Sequence, residues 1–275
     1  MRTDSNIRYL KEMTWPDVDA CSRSETVILF PAGPIEQHGP HIPLGTDLFI
    51  AEYVMNECAE HLAANGSQVI IAPAIPFVNA LFSLPYPGSV SVRRKVVEEY
   101  VFDVLASLAS DGFSNLILVS QHLDPPWVRA AESCCSRINE QYGVRAIAGF
   151  ERIVGDTLLG RGGLDLSHVR LQGDTHAGVY EAAPMMHIDE SLVRTGSLKE
   201  LPPMEIPFSD MREVRSFREL GNGLGYTGDV SQVNKELGRA IVNYYATSFK
   251  TLIAKHVQGE DVYDRLRCSE LFENF

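Results

Sequence analysis

The chain has 275 residues, 45% of them apolar and 22% charged, with a formal net charge of -12. That composition suits one folded α/β domain spanning 1–275 and excludes collagenous, mucin-like or disordered chains. The acidic excess and the absence of any basic run exclude nucleic acid and anionic membranes as partners, because phosphate recognition needs clustered Lys and Arg.

The first residues, "MRTDSNIRYLKEMTW", contain no apolar segment of signal-peptide length. No apolar run approaches the roughly 18 residues of a membrane helix, so a cytoplasmic location is expected. The five cysteines form no C-x-x-C pair and are expected to be reduced, structural thiols.

"TVILFPAG" at 26–33 reads as a buried strand, and 47–66 as a helix closed by glycine. "QVIIAPAI" is a second strand. The segment "VRRKVVEEYVFDVLASLASDGF" is a helix with Val97, Val101, Val104 and Leu108 on one face. "NLILVS" at 115–120 is a third strand, "PPWVRAAESCCSRINEQYG" a helix opened by prolines, and "VRAIAGF" a fourth strand. A last long helix starts near Ser231. The Pro-rich stretch 201–207 reads as a surface loop within the same domain. Alternating strands and helices, with continuous apolar strands, predict an α/β fold: a mainly parallel sheet flanked by helices on both faces. Ligand sites in such sheets lie beyond the carboxyl ends of the strands.

Two ligand-rich segments fall there. "GPIEQHGPHIPLGTD" follows the first strand and "SQHLD" the third. In extended backbone, residues two apart point the same way. Glu36 with His38, and His122 with Asp124, therefore each present two ligands to one side. Together with Asp47 these five exceed the three protein ligands of one catalytic zinc. They suit two divalent ions if one carboxylate bridges, and the mixed imidazole–carboxylate set accepts zinc, manganese or iron. A third cluster, "GDTHAGVYE", holds Asp174, His176 and Glu181. A histidine there could deliver a proton to a departing nitrogen. Structural alternatives exist. Asp124 stands before two prolines and could cap a helix. Thr46 and Asp47 could be a cap and a first-turn acid. His41 could simply bond backbone.

The stretch "PAGPIEQHGPHIPLGTD" resembles the first signature of the creatininase (creatinine amidohydrolase) family. "DTHAGVYE" is similar to its H-A-G-x-x-E segment, and "GYTGDVSQVNKELGRAIV" to its C-terminal G-Y-x-G-D-P segment. The resemblance implies a three-layer fold and a two-metal hydrolase of cyclic amides, formamides or related C–N bonds. Carried over by position, Glu36, Asp47 and His122 would hold one ion. His38, Asp47 and Asp124 would hold the other. His176 falls on the proton-donating histidine, and Glu181 on a glutamate that is second to the metals or faces them. Asp174 is expected to orient His176 or contact substrate. Tyr86, Gly88, Ser89, Leu123 and Trp127 are expected to line the substrate pocket. The family also implies a homo-oligomer, often a hexamer, in which aromatics of "VYDRLRCSELFENF" could pack on a neighbour or within the chain.

The departures are specific. The family's middle motif is usually N-G-H-G-G-N, or H-Y-E in creatininase proper, where this chain has "SQHLDPP". Ser83 of "SLPYPGS" stands where many members carry histidine. Creatinine is therefore not the expected substrate. The expected chemistry is hydrolysis of a lactam, amidine or formamide C–N bond in a small molecule. Two alternatives stand beside it: a peptide-end or ring-opening hydrolase in a biosynthetic pathway, and a non-catalytic member acting as a ligand-binding or complex subunit.

Overall fold

The sheet begins earlier than the apolar pattern suggests: β1 (Ile7–Tyr9) is only three residues long, and "IRY" carries no apolar run. A computed structural model describes residues 6–207, 210, 214–262 and 267–272. Helix α1 (Trp15–Asp19) is opened by a reciprocal bond pair between Thr14 and Asp17, and then the four predicted strands follow. They are β2 (Thr26–Pro31), β3 (Gln68–Ile71), β4 (Asn115–Val119) and β5 (Arg145–Ala148). All pairings are parallel, in the order β1-β3-β2-β4-β5.

Strand alternation divides the apolar residues between two faces. Val27 and Leu29 of β2 pack in one cluster with Ile50 and Val54 of α2 (Thr46–Ala64), Met185 of α6 (Val179–Ile188) and Ile241 of α8 (Lys235–Val257). Ile28 and Phe30 pack in another with Val101 of α3 (Arg94–Ser110) and Ala131 of α4 (Pro125–Tyr142). The sheet is thus covered on both sides, which gives three layers. A helix α5 (Phe150–Leu158) follows β5, and a short α7 (Thr195–Leu198) follows α6. Helix α8 starts at Lys235 rather than near Ser231, because Asn234 accepts the Leu237 N–H as its cap. Among the described residues no helix is long and apolar enough to cross a membrane. The five cysteines are buried and unpaired. Tyr263 and Phe275, two of the C-terminal aromatics, lie outside the described residues.

Helix α6 escapes a sequence reading because Gly178 precedes it and Pro184 sits inside it. It is held by tertiary packing. Gly238 of α8 lies against the backbone carbonyl of Ala183, where an added Cβ would collide. Gly238→Ala is therefore expected to destabilise the fold by about 1–3 kcal/mol, the usual cost of overpacking. A urea denaturation midpoint unchanged from wild type would refute this close approach.

Candidate metal centre

β2 is the strand from which the chain departs to both sides, to β3 on one flank and β4 on the other. Loops leaving the carboxyl ends of β2 and β4 diverge at such a switch point and leave a crevice. The first loop folds back into α2. Gly33 makes this possible, since its missing side chain leaves room for Asp47, whose Cβ would stand 3.1 Å from a Cβ on Gly33. The start of α2 therefore reaches the end of β2 and brings Asp47 to the crevice.

Five side chains meet there. Glu36 Oε1 lies 3.1 Å from His122 Nδ1, and Asp47 Oδ1 lies 3.8 Å from the same nitrogen. On the other side, His38 Nε2 is 3.3 Å from Asp47 Oδ2 and 3.6 Å from Glu181 Oε2. The two oxygens of Asp47 thus face two different histidines. Glu36, Asp47 and His122 form one group able to hold a cation, and His38, Asp47 and Glu181 form another. Backbone carbonyls fix both rings: His122 Nε2 lies 2.8 Å from Asn79 O, and His38 Nδ1 lies 3.1 Å from Glu36 O. If those nitrogens donate, the opposite nitrogens face the carboxylates and become metal ligands once they lose their protons, the arrangement that a metal-ligating histidine uses. Ser83 Oγ donates to Glu36 Oε2 at 2.6 Å. Gln121 Nε2 and Ala177 N–H donate to Glu181.

Charge inside this crevice is strongly coupled. Burial opposes the charge on Glu36, but His122 and the other histidines outweigh it and hold the carboxyl well below its usual range. Burial also opposes charge on His38 and His122. The carboxylates of Asp47 and Glu36 win in each case and raise both imidazoles to about 10. Burial pushes Glu181 upward against the pull of His38.

His176 stands beside the second group. Its ring lies 4.7 Å from that of His38 and stacks on Phe217 at 4.0 Å. Its Nε2 is 2.9 Å from both the carbonyl and the side-chain nitrogen of Gln37. Burial first, and the neighbouring His38 second, lower its pKa to about 4. His176 also forms a ligand-capable group with Glu36 and His38.

Several expectations need correction. Asp124 is not in either cation-capable group. One of its oxygens accepts the Leu81 N–H at 3.3 Å and the other has no partner. Burial raises it to about 6. It does not cap α4 with its side chain either. Glu181, not Asp124, stands in the group with His38 and Asp47. Of the two roles expected of Asp174, it makes no bond that would orient His176, but it lines the cavity, where a substrate contact would lie. Its carboxylate accepts the Val179 N–H at 2.5 Å and closes the first turn of α6. Trp127 is fully buried in the core under α3 and α4, its indole N–H donating to Ser120 Oγ. Ser89 Oγ accepts the Gln37 N–H and so shapes the ligand loop. Tyr86 OH donates to Gly223 O, with Arg218 over its ring. Only Leu123 of the five pocket candidates lines the cavity above the centre. His41 bonds the Ala177 carbonyl, as a loop histidine would.

The supporting groups were hidden from the sequence. Two are backbone carbonyls, which leave no trace in residue identity. Ser83 gave a signal only as an oddity at a histidine position. Gln121 and Gln37 sit beside ligand residues and could have been suspected on that ground.

A family model described as creatinine amidohydrolase matches residues 11–253. A mycofactocin precursor peptide peptidase of Mycobacterium ulcerans aligns at 25% identity over 90% of this chain and 88% of that protein. A 3-dehydro-scyllo-inosose hydrolase of Thermotoga maritima aligns at 26% over 42% of this chain and 35% of that protein. The chain spans about a third to a half of the length of the first curated relatives it matches. A solved structure described as "Creatininase Mn" superposes with a TM-score of 0.68 at 18% identity, covering 90% of this chain and 98% of the other. That likeness establishes the fold.

Proposed function

We propose, from the premise that this chain belongs to the creatininase family, that it is a metal-dependent hydrolase cleaving a C–N bond of a small molecule. The bond class is an amide, lactam, amidine or formamide. One observation carries the reading: the two oxygens of buried Asp47 point to two separate histidines. The donor set fits cations. His38 Nε2 and Asp47 Oδ2 are buried and face each other at 3.3 Å without a well-formed hydrogen bond, an expensive state for polar atoms unless something binds them. Glu36, Asp47 and His122 would hold one divalent ion, and His38, Asp47 and Glu181 a second, with zinc, manganese and iron all compatible. When bound, such ions polarise the scissile carbonyl and bring the pKa of water down toward ~7.

The chain's own residues do the rest. Asn79 and Glu36 carbonyls hold the two imidazoles in one orientation. Ser83, Gln121 and the Ala177 N–H fix the two glutamates. His176 is neutral at rest, so it begins as a proton acceptor. Water adds its oxygen to the carbonyl carbon, the C–N bond breaks, and the proton gathered at His176 passes to the departing nitrogen.

Elemental analysis of protein purified without chelator or affinity-tag nickel tests the reading. About two divalent ions per chain, with turnover of a lactam or formamide, supports it. Metal near zero that does not recover on addition rejects it and favours a ligand-binding role. The near full-length match to the peptidase of Mycobacterium ulcerans favours one second reading, removal of residues from a peptide end, and short peptides belong in the same screen. A homo-oligomer is part of the proposal, and light scattering should give a multiple of 30.5 kDa.

A pH dependence follows. Without metal, His38 and His122 hold their protons up to about 10. Cations must displace those protons, so affinity should fall as pH falls, by roughly one log unit per pH unit per displaced proton. Calorimetry in buffers of different ionisation enthalpy should show proton release near neutral pH. Metal binding independent of pH between 6 and 9 would contradict it.

A further inference from the structure

The cavity over the centre has a volume of about 320 Å³ and two chemically distinct parts. Its floor is polar, built from Glu36, His122, His176 and Glu181. Its walls are mainly apolar, with Asp124, Asp174 and Thr175 among them: Phe82, Leu123, Val154, Leu158, Leu171 and Phe217 come from separate parts of the chain and converge on one space. Among the described residues, no lysine or arginine lines it. Helix α5 presents Val154, Gly155 and Leu158 to the cavity, one face at helical spacing. Gly155 is buried in the middle of α5. Glycine is disfavoured in a helix interior, yet here its missing side chain leaves volume beside the apolar wall.

We infer that this cavity selects an uncharged amide whose carbonyl carbon carries a bulky apolar group, of isobutyl to benzyl size. The amide part rests on the hydrolase reading above; the apolar preference rests on the walls alone. Seating such a group removes it from water against Leu123, Val154 and Leu158, which is worth roughly ten- to a hundredfold in affinity. A polyhydroxylated substituent would lose water against these apolar side chains, and beyond the polar floor only Gln121, Asp124, Asp174 and Thr175 on the lining could partner its hydroxyls. An anionic one would find no lysine or arginine to pair with among the described lining residues.

The test is calorimetric binding of acetamide, isovaleramide, phenylacetamide and gluconamide to the metal-loaded protein, with hydrolysis followed in the same samples. Phenylacetamide is expected to bind at least tenfold more tightly than acetamide, and gluconamide no more tightly than acetamide. Gly155→Leu should fill the space and abolish the advantage of phenylacetamide. Leu158→Ala, at a half-buried position, gives a second route if Gly155→Leu does not fold, and should weaken phenylacetamide binding severalfold. Gluconamide binding better than phenylacetamide, or an advantage that survives the folded variants, overturns the inference. Apolar preference without hydrolysis of any amide overturns the hydrolase reading and leaves this one standing. Hydrolysis without apolar preference does the reverse.

Discussion

Asp47→Ala should lose bound metal and activity together. Asp47 is the one residue shared by both cation-capable groups that pair it with His122 and with His38. Removing it takes the central negative charge from between two imidazoles and deprives each group of a ligand. Because the crevice is buried, its charges are poorly screened, and the loss is not made up by water. Metal content should fall from about two ions per chain to nearly none, and turnover by about a thousandfold or more, the scale on which an essential electrostatic group acts. Circular dichroism should still show a folded chain, since Asp47 lies at the start of α2 and its carboxylate makes no cap bond. An Asp47→Ala protein that is metal-free and active would end the two-metal proposal.

His176→Ala separates binding from proton transfer. Its ring sits between His38 and Phe217, at the edge of the second group. The proposal has it carry a proton, so the variant should keep both ions and lose about a hundred- to ten-thousandfold in turnover. Metal analysis and a steady-state assay on one preparation decide the matter. The competing outcome is concrete: His176 also completes a group with Glu36 and His38. If metal leaves with the imidazole, His176 is a ligand and another residue must move the proton.

The two experiments probe residues of different legibility. Glu36, His38, His122 and Asp47 could be picked out of the sequence because their pattern is local. The two-apart spacing holds for Glu36 and His38, which share a cation-capable group with His176, and fails for His122 and Asp124, which share none. The three-layer parallel fold was legible for a similar reason, since continuous apolar strands alternating with amphipathic helices admit few arrangements.

Tertiary structure decided the rest. The choice between Asp124 and Glu181 depends on where α6 docks, and α6 is held by Gly238 of α8 pressed against Ala183, a contact between residues far apart in sequence. Trp127 was expected in the pocket, but the pitch of α4 turns it into the core. Asp174 sits two residues from His176, yet its carboxylate is claimed by the unpaired N–H groups at the start of α6. The apolar cavity wall draws on α5 and on distant loops that no spacing rule connects. The sequence by itself determined which side chains could bind a cation, because that is fixed by residue type and local backbone. Which of them meet, and what shape of substrate they face, was decided by long-range packing.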